Sequence, residues 1–408
     1  MSGRQIRVIR NIKAITFSSY FAMLILGIGS ALIGAAARSI GLSAPQIGFM
    51  LAVQNVGFGV AVWLAGAASD TLSKPKIMVA GSLILGLALL SFYISPVFVI
   101  NLLIMILIGA GMGAYEGTTD ALLFDLHEAR AGFHINVNHF FVNIGAALIT
   151  VYLIFLQADW RSAVVQSGIA VLGLAVFYML VRLTVKETKQ PSYGERMRSL
   201  ASSKLIALLF MVSILAVGVD VAALGVMTTF LVQLRGFPEV VAQLGLVIYL
   251  LGFAFGRVVV GIIAKDHHIP AFLTALLGLS TVAFAVLFFV DLGTYTLAGT
   301  FIAGVCLSAV LPLILTYSGK VFRDMPGTVM GTIKVAFPIG GILVPLLMSL
   351  MASTVSFQAS LVIFPICLLI AFLLLIWQAD LLRSALPNGM GLQNAAAELA
   401  AAIPTPQG

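Results

Sequence analysis

Twelve apolar segments recur along this 408-residue chain, and they constrain its fold more than any other feature. A run of about 20 apolar residues is the length that an α-helix needs to cross the hydrocarbon core of a bilayer. The composition agrees, because 9% of the residues are charged, against roughly 25% in soluble domains. The sequence therefore predicts an all-α membrane protein whose segments start near residues 14, 45, 77, 97, 133, 160, 204, 239, 269, 293, 326 and 356.

Basic residues collect in the breaks on one side of these segments. That side carries the basic N-terminus and Lys74, Lys76, Arg130, Lys186, Lys189, Arg196, Arg198, Lys265, Lys320, Arg323 and Arg383, whereas the other side carries Arg38, Arg161 and Arg235. Loops rich in lysine and arginine stay in the cytoplasm. We therefore expect both termini in the cytoplasm, and a multi-pass protein of a bacterial inner membrane.

The chain is predicted to consist of two pseudo-symmetric six-helix halves. The longest interior break, from 186 to 204, contains Pro191, Gly194 and mixed charges. This pattern predicts an N-terminal half at 1–184, a cytoplasmic linker at 185–203, a C-terminal half at 204–384 and a disordered tail at 385–408.

Glycine spacing indicates that the halves repeat each other. Gly57 and Gly66 in the second segment are nine residues apart, as are Gly252 and Gly261 in the eighth. Segments five and eleven share the relative positions 0, 7 and 13, occupied by Gly132, His139, Gly145 and by Gly327, Lys334, Gly340. His139 and Lys334 are therefore predicted to be pseudo-equivalent, in an architecture that binds its substrate at the midplane between the halves.

Two carboxylates stand inside the fourth apolar segment. Glu116 and Asp120 are one helical turn apart and share a face. A charge at the bilayer centre costs at least about 2.5 kcal/mol, so such residues indicate a functional site. We interpret both as proton-coupling groups, with a structural hydrogen bond as the alternative for Glu116.

Three potential cations lie in other segments. Lys334 is too deep to extend its ammonium group to the interface, so it needs either an acid partner or an anionic ligand. Asp220 in segment seven is the candidate partner for Lys334 or for Arg257. Arg257 fits a conformational salt bridge as well as a substrate contact, and His139 fits a core histidine as well as a substrate contact.

The residues Gly66, Asp70, Lys74 and Lys76 in GAASDTLSKPK resemble the loop motif between the second and third helices of the major facilitator superfamily. Within it, GAGMGAYEG around Glu116 and INVNHFFVNIGA around His139 resemble the fourth and fifth helices of the fucose-permease-like proton symporters. The resemblance implies the major facilitator fold, a gating role for the loop motif, and substrate contacts from Asn136, His139 and Asn143. The acid in the first helix of that group has no counterpart here.

These observations predict a secondary transporter that moves a small polar solute by alternating access, coupled to protons. A carboxylate substrate, such as an organic acid or sugar acid, and a neutral sugar both remain open. The sequence has no GxxxxGK[ST] loop for nucleotide phosphates, and we expect no catalytic residue, metal, cofactor or nucleic-acid partner, and a monomer. The rival hypotheses are an exporter of lipophilic drugs or lipids, and a non-transporting receptor or scaffold.

Overall fold

The computed structural model describes residues 11–155, 159–183, 192–265 and 268–385. Within these ranges it contains 12 helical spans that are long and apolar enough to cross a membrane. A lipid interior offers no partner for a free N–H or C=O group, so each span satisfies its backbone within its own helix. The prediction of a twelve-helix membrane protein is confirmed, and the predicted segment starts fall close to the observed ones.

The first half contains six long helices, which are α1 (Ile12–Ile40), α2 (Ala44–Ala68), α3 (Lys74–Ser91), α4 (Phe98–Leu126), α5 (Ala131–Thr150) and α6 (Trp160–Leu180). A short helix, α7 (Tyr193–Ala201), lies in the predicted linker. Three unbroken helices follow, which are α8 (Lys204–Gln233), α9 (Glu239–Ile263) and α10 (Ile269–Phe289).

Each of the last three spans consists of two helices. They are α11 (Thr296–Ser308) with α12 (Val310–Val321), α13 (Pro326–Lys334) with α14 (Ala336–Thr354), and α15 (Phe357–Ser360) with α16 (Ile363–Trp377), before the short α17 (Ala379–Ala385). The break after Lys334 follows from Pro338, because proline has no N–H to donate to the carbonyl four residues earlier. This break places Lys334 at a helix end inside the membrane.

Buried apolar side chains form two clusters that follow the predicted halves. One cluster takes its buried members from residues 15–181. The other comes from residues 200–382, joined by Phe124, Ala131 and Ile135 from the corner between α4 and α5. The domain boundaries remain a prediction, since residue 184, residues 185–191 of the linker and 386–408 of the tail lie outside the described residues.

The second and eighth spans pack in the same way, as the glycine repeat predicts. A methyl group on Gly57 would lie 2.1 Å from the main-chain oxygen of Ile106 in α4, and one on Gly252 would lie 2.2 Å from that of Phe301 in α11. The second span therefore lies against the fourth as the eighth lies against the tenth.

Segments five and eleven show the same equivalence. A methyl group on Gly145 would lie 1.9 Å from the main-chain oxygen of Leu24 in α1, and one on Gly340 would lie 2.3 Å from that of Ile214 in α8. His139 and Lys334 therefore stand on structurally matched helices. We call the membrane face on which α2 ends and α3 begins the basic face, because the lysine-rich and arginine-rich breaks lie there.

Candidate functional site

Glu116 and Asp120 on α4 meet Lys334 in the interior of the protein. The ammonium nitrogen Nζ of Lys334 lies 3.0 Å from Oε1 of Glu116 and 2.7 Å from Oδ2 of Asp120. It also donates a hydrogen bond to the main-chain oxygen of Glu116. None of the three residues is more than 3% exposed. The two predicted proton-coupling carboxylates therefore share one buried cation.

His139 and Asn138 on α5 complete this group. The Nε2 atom of His139 lies 2.8 Å from Oδ2 of Asp120 and 3.7 Å from Oε1 of Glu116. The amide of Asn138 donates to Oδ1 of Asp120 at 2.7 Å. Both oxygens of Asp120 thus have partners, whereas Glu116 Oε1 forms ion pairs without a well-aligned hydrogen bond. We call Glu116, Asp120, Asn138, His139 and Lys334 the acid–base cluster.

The cluster joins the two halves of the protein through their repeated positions. His139 comes from α5 and Lys334 from the matched position of the eleventh span, and both approach Asp120. The predicted pseudo-equivalence of His139 and Lys334 therefore places two nitrogen groups around one carboxylate. Of the two cations that the sequence leaves open as partners of Asp220, Lys334 pairs instead with Glu116 and Asp120.

The charges of the acid–base cluster do not balance without a proton. Two ionised carboxylates face one ammonium group, so with a neutral His139 the cluster is one negative charge in excess. In a low-dielectric interior an uncompensated charge is expensive. Two charges can offset this excess, which are a proton on Glu116, Asp120 or His139 and the guanidinium group of Arg257, whose charge also acts on both acids.

The same atoms satisfy the spacing of a metal site. One ligand atom from each of Glu116, Asp120 and His139 can be chosen so that all lie within 4.8 Å of one another. However, the ammonium nitrogen of Lys334 contacts carboxylate oxygens of both acids. The protein's own cation thus stands where a metal ion would bind, and we assign none here.

A cavity of about 270 Å³ lies in the C-terminal half. Its walls come from α8, α9, α11, α12 and α14 and are mostly apolar, and their charged members are Asp220 and Arg257. This empty volume includes open solvent, so the cavity is open and not enclosed. The acid–base cluster takes its acids from the N-terminal half, whereas the cavity lies entirely in the other half.

Arg257 connects the cavity to the acid–base cluster. Its Nε donates to the main-chain oxygen of Ser308 at 3.2 Å, and its Nη1 donates to the main-chain oxygen of His139. The guanidinium carbon lies 4.6 Å from the ring centroid of Phe253, and the residue is 5% exposed. Among the residues that the structure describes, Arg257 forms no ion pair with a carboxylate.

Asp220 faces the same cavity from α8. Its Oδ1 accepts a hydrogen bond of 3.0 Å from the hydroxyl of Tyr249, which is fully buried. No hydrogen-bond donor of the described part of the chain reaches its second oxygen. Arg257 and Asp220 are therefore the two predicted substrate-binding residues that line the cavity.

The predicted contacts from Asn136 and Asn143 are not to this cavity. The amide of Asn136 donates to the main-chain oxygen of Gly132 at 2.8 Å, within α5 itself. The Nδ2 atom of Asn143 is buried and has no acceptor in the described ranges. Asn138, which the family resemblance did not indicate, is the asparagine that contacts the acid pair. Its adjacency to His139 was the available signal in the sequence.

The predicted gating motif joins the two halves of the protein at the basic face. Asp70 Oδ1 accepts from the main-chain N–H of Gly327 at 2.8 Å, and Oδ2 accepts from that of Thr328 at 2.7 Å. These are N–H groups at the start of α13, which have no partner within the helix and carry the positive end of its dipole. Burial raises the pKa of the Asp70 carboxyl, and the hydrogen bonds from α13 oppose that rise.

Arg196 of α7 adds a contact that the sequence did not indicate. Its Nη1 lies 3.1 Å from Oδ2 of Asp70 and 2.6 Å from Oγ1 of Thr328. Gly66 is required because a methyl group there would lie 2.7 Å from the main-chain oxygen of Gly327. The linker helix, the end of α2 and the start of α13 thus meet at one point.

The other two members of the motif lie at its margin. Lys74 forms an ion pair of 2.7 Å with Asp125 at the end of α4, and Lys76 is exposed. Lys74 thus links α3 to α4 within one half of the protein, whereas Asp70 links α2 to the other half.

The model of the Major Facilitator Superfamily matches residues 14–333 and 212–401. A relative from Cupriavidus necator, named probable sulfoacetate transporter SauU, is 27% identical over 169 residues, which cover 38% of this chain and only 39% of that protein.

Solved structures show the fold. The E. coli fucose:proton symporter FucP has a TM-score of 0.71 at 16% identity, covering 90% of this chain and 99% of that one. The human organic anion transporter MFSD10 has a TM-score of 0.73 at 15% identity, covering 90% and 100% of the respective chains. At these identities the likeness is one of architecture.

Proposed function

This chain belongs to the major facilitator superfamily, and we propose that it is a secondary transporter that carries a small organic anion together with a proton. The anion would bind at Arg257 in the cavity, and the proton would bind in the acid–base cluster. We further propose that the basic face is cytoplasmic and that the membrane is a bacterial inner membrane, as the distribution of lysine and arginine favours.

The choice of an anionic substrate rests on the hydrogen-bond partners of Arg257. It is a buried cation at a cavity wall whose hydrogen bonds go to two main-chain carbonyls and not to a carboxylate. Lys334, a second buried cation, already has two carboxylates. A guanidinium group offers planar donors that match a carboxylate. An organic anion therefore supplies what Arg257 lacks.

Charge balance supports the coupling to a proton. The ionised carboxylates of Glu116, Asp120 and Asp220 outnumber the cations Lys334 and Arg257 by one. An anion that enters alone increases the excess of buried negative charge, which a low-dielectric interior opposes. An anion that enters with one proton leaves the buried charge unchanged. Joint binding is therefore the electrostatically favoured route.

The contacts between the halves suggest how binding would drive the conformational change. Arg257 holds α5 through the carbonyl of His139, and Lys334 holds α4 through Glu116 and Asp120. A substrate anion competes with the carbonyl for Arg257, and a proton weakens the hold of the acids on Lys334. Each ligand therefore interacts differently with the closed and open states, as a population shift requires.

The names of two similar proteins agree with an anionic substrate. SauU is named as a probable transporter of sulfoacetate, and MFSD10 is described as an organic anion transporter. FucP is described as a fucose:proton symporter, which agrees with proton coupling but names a neutral sugar. Arg257, which has no carboxylate within ion-pair distance in the described ranges, favours the anion.

The test is uptake by the purified protein in proteoliposomes under an imposed pH gradient, with a panel of organic acids and neutral sugars. Arg257→Gln is expected to weaken binding of the transported acid at least about thirtyfold. This is because removing one partner of a buried charge pair costs about 2 to 5 kcal/mol and each 1.4 kcal/mol is tenfold.

Arg235 provides a matched control. It also donates to main-chain carbonyls, and its guanidinium carbon lies 4.8 Å from the ring centroid of Phe230, but it does not line the cavity. If Arg257 has only a structural role, Arg257→Gln and Arg235→Gln should impair uptake alike. The proposed substrate would be contradicted if the protein took up a neutral sugar and Arg257→Gln left that uptake unchanged. Uptake of lipophilic compounds alone would also contradict it. Absence of any uptake would favour a receptor or scaffold.

Asp70→Asn is expected to shift the protein toward the state that is open on the basic face. The change removes the charge that meets the start of α13 and Arg196, at a cost of about 1 to 2 kcal/mol, or roughly five- to thirtyfold in population. The measurement is labelling of a cysteine placed at Ser69, which is 2% exposed, after Cys306 and Cys367 are replaced by alanine. Asp125→Asn is the control, and equal labelling in both variants would count against the gate.

A further inference from the structure

Asp220 forms a second polar wall in the cavity that Arg257 lines. The inference drawn from it deepens the proposed function and rests on it. Anion binding at Arg257 accounts for the cation of this cavity but not for the acid. The carboxylate of Asp220 is half-buried among mostly apolar side chains, where a donor on a bound ligand would form a charge-assisted hydrogen bond, roughly twice as strong as a neutral one.

One oxygen of Asp220 accepts a hydrogen bond from the protein, whereas the other has no donor among the described residues. Oδ1 accepts from the hydroxyl of Tyr249, whose ring is fully buried and therefore held in place. In the described part of the chain, Oδ2 has no donor. Arg257 does not donate to it, since no hydrogen bond or ion pair within 4.0 Å joins the two residues, although their opposite charges attract each other across the cavity. The free oxygen of Asp220 is thus a preformed acceptor on the cavity wall.

We propose that the substrate is bifunctional, with an anionic group bound by Arg257 and a hydrogen-bond donor bound by Asp220. A ligand with both groups can pair with Arg257 and donate a hydrogen bond to Asp220 at the same time. A ligand with only the anionic group leaves Asp220 unpaired beside a second negative charge. A site built to hydrogen-bond a substrate group rejects the analogue that lacks it, because the site is then left unsatisfied.

Either a hydroxyl or an ammonium group can supply this donor. The hydroxyl of Tyr249 shows that a neutral donor already satisfies one oxygen of Asp220. An ammonium group would in addition neutralise the carboxylate. The shared requirement is a donor on the same molecule as the carboxylate, and the two sources are separated by experiment.

The experiment measures binding of three acids with six-carbon chains to the purified full-length protein by calorimetry. Gluconate carries hydroxyl donors, 6-aminohexanoate carries an ammonium donor, and hexanoate carries neither. The wild-type protein is expected to bind at least one of the first two acids ten times more tightly than hexanoate. In Asp220→Leu that preference should fall at least tenfold, because leucine keeps the size of the side chain and removes the acceptor.

Asp220→Asn separates the two donors. The amide oxygen still accepts from a hydroxyl, whereas the loss of charge removes the ion pair with an ammonium group. A preference for gluconate should therefore largely survive in this variant, and a preference for 6-aminohexanoate should be lost. If the leucine variant does not fold, the wild-type ratio and the asparagine variant still decide the question.

Two kinds of failure are distinguishable. If hexanoate binds as tightly as the other acids, and Arg257→Gln weakens all three, the proposed anion site stands and the bifunctional substrate is wrong. If no acid binds, or Arg257→Gln leaves their affinities unchanged, the proposed function itself is wrong.

Discussion

Glu116→Gln should abolish the uphill accumulation of substrate while leaving exchange of labelled for unlabelled substrate. A pH difference of one unit can drive about tenfold accumulation when one proton accompanies each anion, since about 1.4 kcal/mol corresponds to a factor of ten. Glutamine resembles the protonated acid and cannot release a proton. The accumulation ratio is therefore expected to fall from about ten toward one.

Glu116 is a better candidate than Asp120 for the proton-binding group, because its carboxylate has fewer hydrogen-bond partners. Asp120 accepts from Asn138 at 2.7 Å and lies within 2.8 Å of both His139 and Lys334. Oε1 of Glu116 is engaged only by its ion pairs. Protonation of Glu116 thus disrupts fewer contacts. It also loosens the link between α4 and α13 that a conformational change must break.

The measurement pairs pH-driven uptake with counterflow in the same proteoliposomes. Asp125→Asn is a suitable control, because Asp125 is an exposed acid at the end of the same helix and pairs with Lys74. Accumulation that persists in Glu116→Gln would exclude Glu116 as the proton carrier. Loss of both accumulation and counterflow would show a defect in substrate binding or folding instead.

The sequence predicts the helices and the repeat well because both depend on local patterns. A span of about 20 apolar residues has few alternatives in a bilayer. The glycines at positions 57 and 252 are set by close contact of main chains, so their spacing carries tertiary information. The pseudo-equivalence of His139 and Lys334 follows from the same kind of signal, and both residues do approach Asp120.

Partners of individual side chains were harder to predict. The sequence shows that Lys334 needs an anion, but the choice between Asp220 and the acids of α4 depends on how α8 and α4 are rotated about their axes. The break after Lys334, which directs its side chain toward α4, arises from a proline four residues later. Arg196 lies among mixed charges in the linker, where nothing distinguishes a buried arginine from a solvated one.

Lys334→Ala is expected to destabilise the protein strongly, because it leaves Glu116 and Asp120 buried beside each other without their shared cation. Removing one member of a buried ion pair typically costs about 3 to 5 kcal/mol. The double variant Lys334→Ala with Asp120→Asn should recover most of that stability, since one carboxylate is then neutral and the other can take up a proton.

The double variant Lys334→Ala with Asp220→Ala is the control for this recovery of stability. Asp220 lies in the cavity and does not contact Lys334, so adding this change should give no recovery, and the effects of distant sites should simply add. Thermal unfolding in detergent and substrate affinity are measured for the single and both double variants. If Lys334→Ala were as stable as the wild type but bound the transported acid thirtyfold more weakly, Lys334 would contact the substrate directly. Recovery with Asp120→Asn and not with Asp220→Ala would instead show that Lys334 links the two halves of the protein through Glu116 and Asp120.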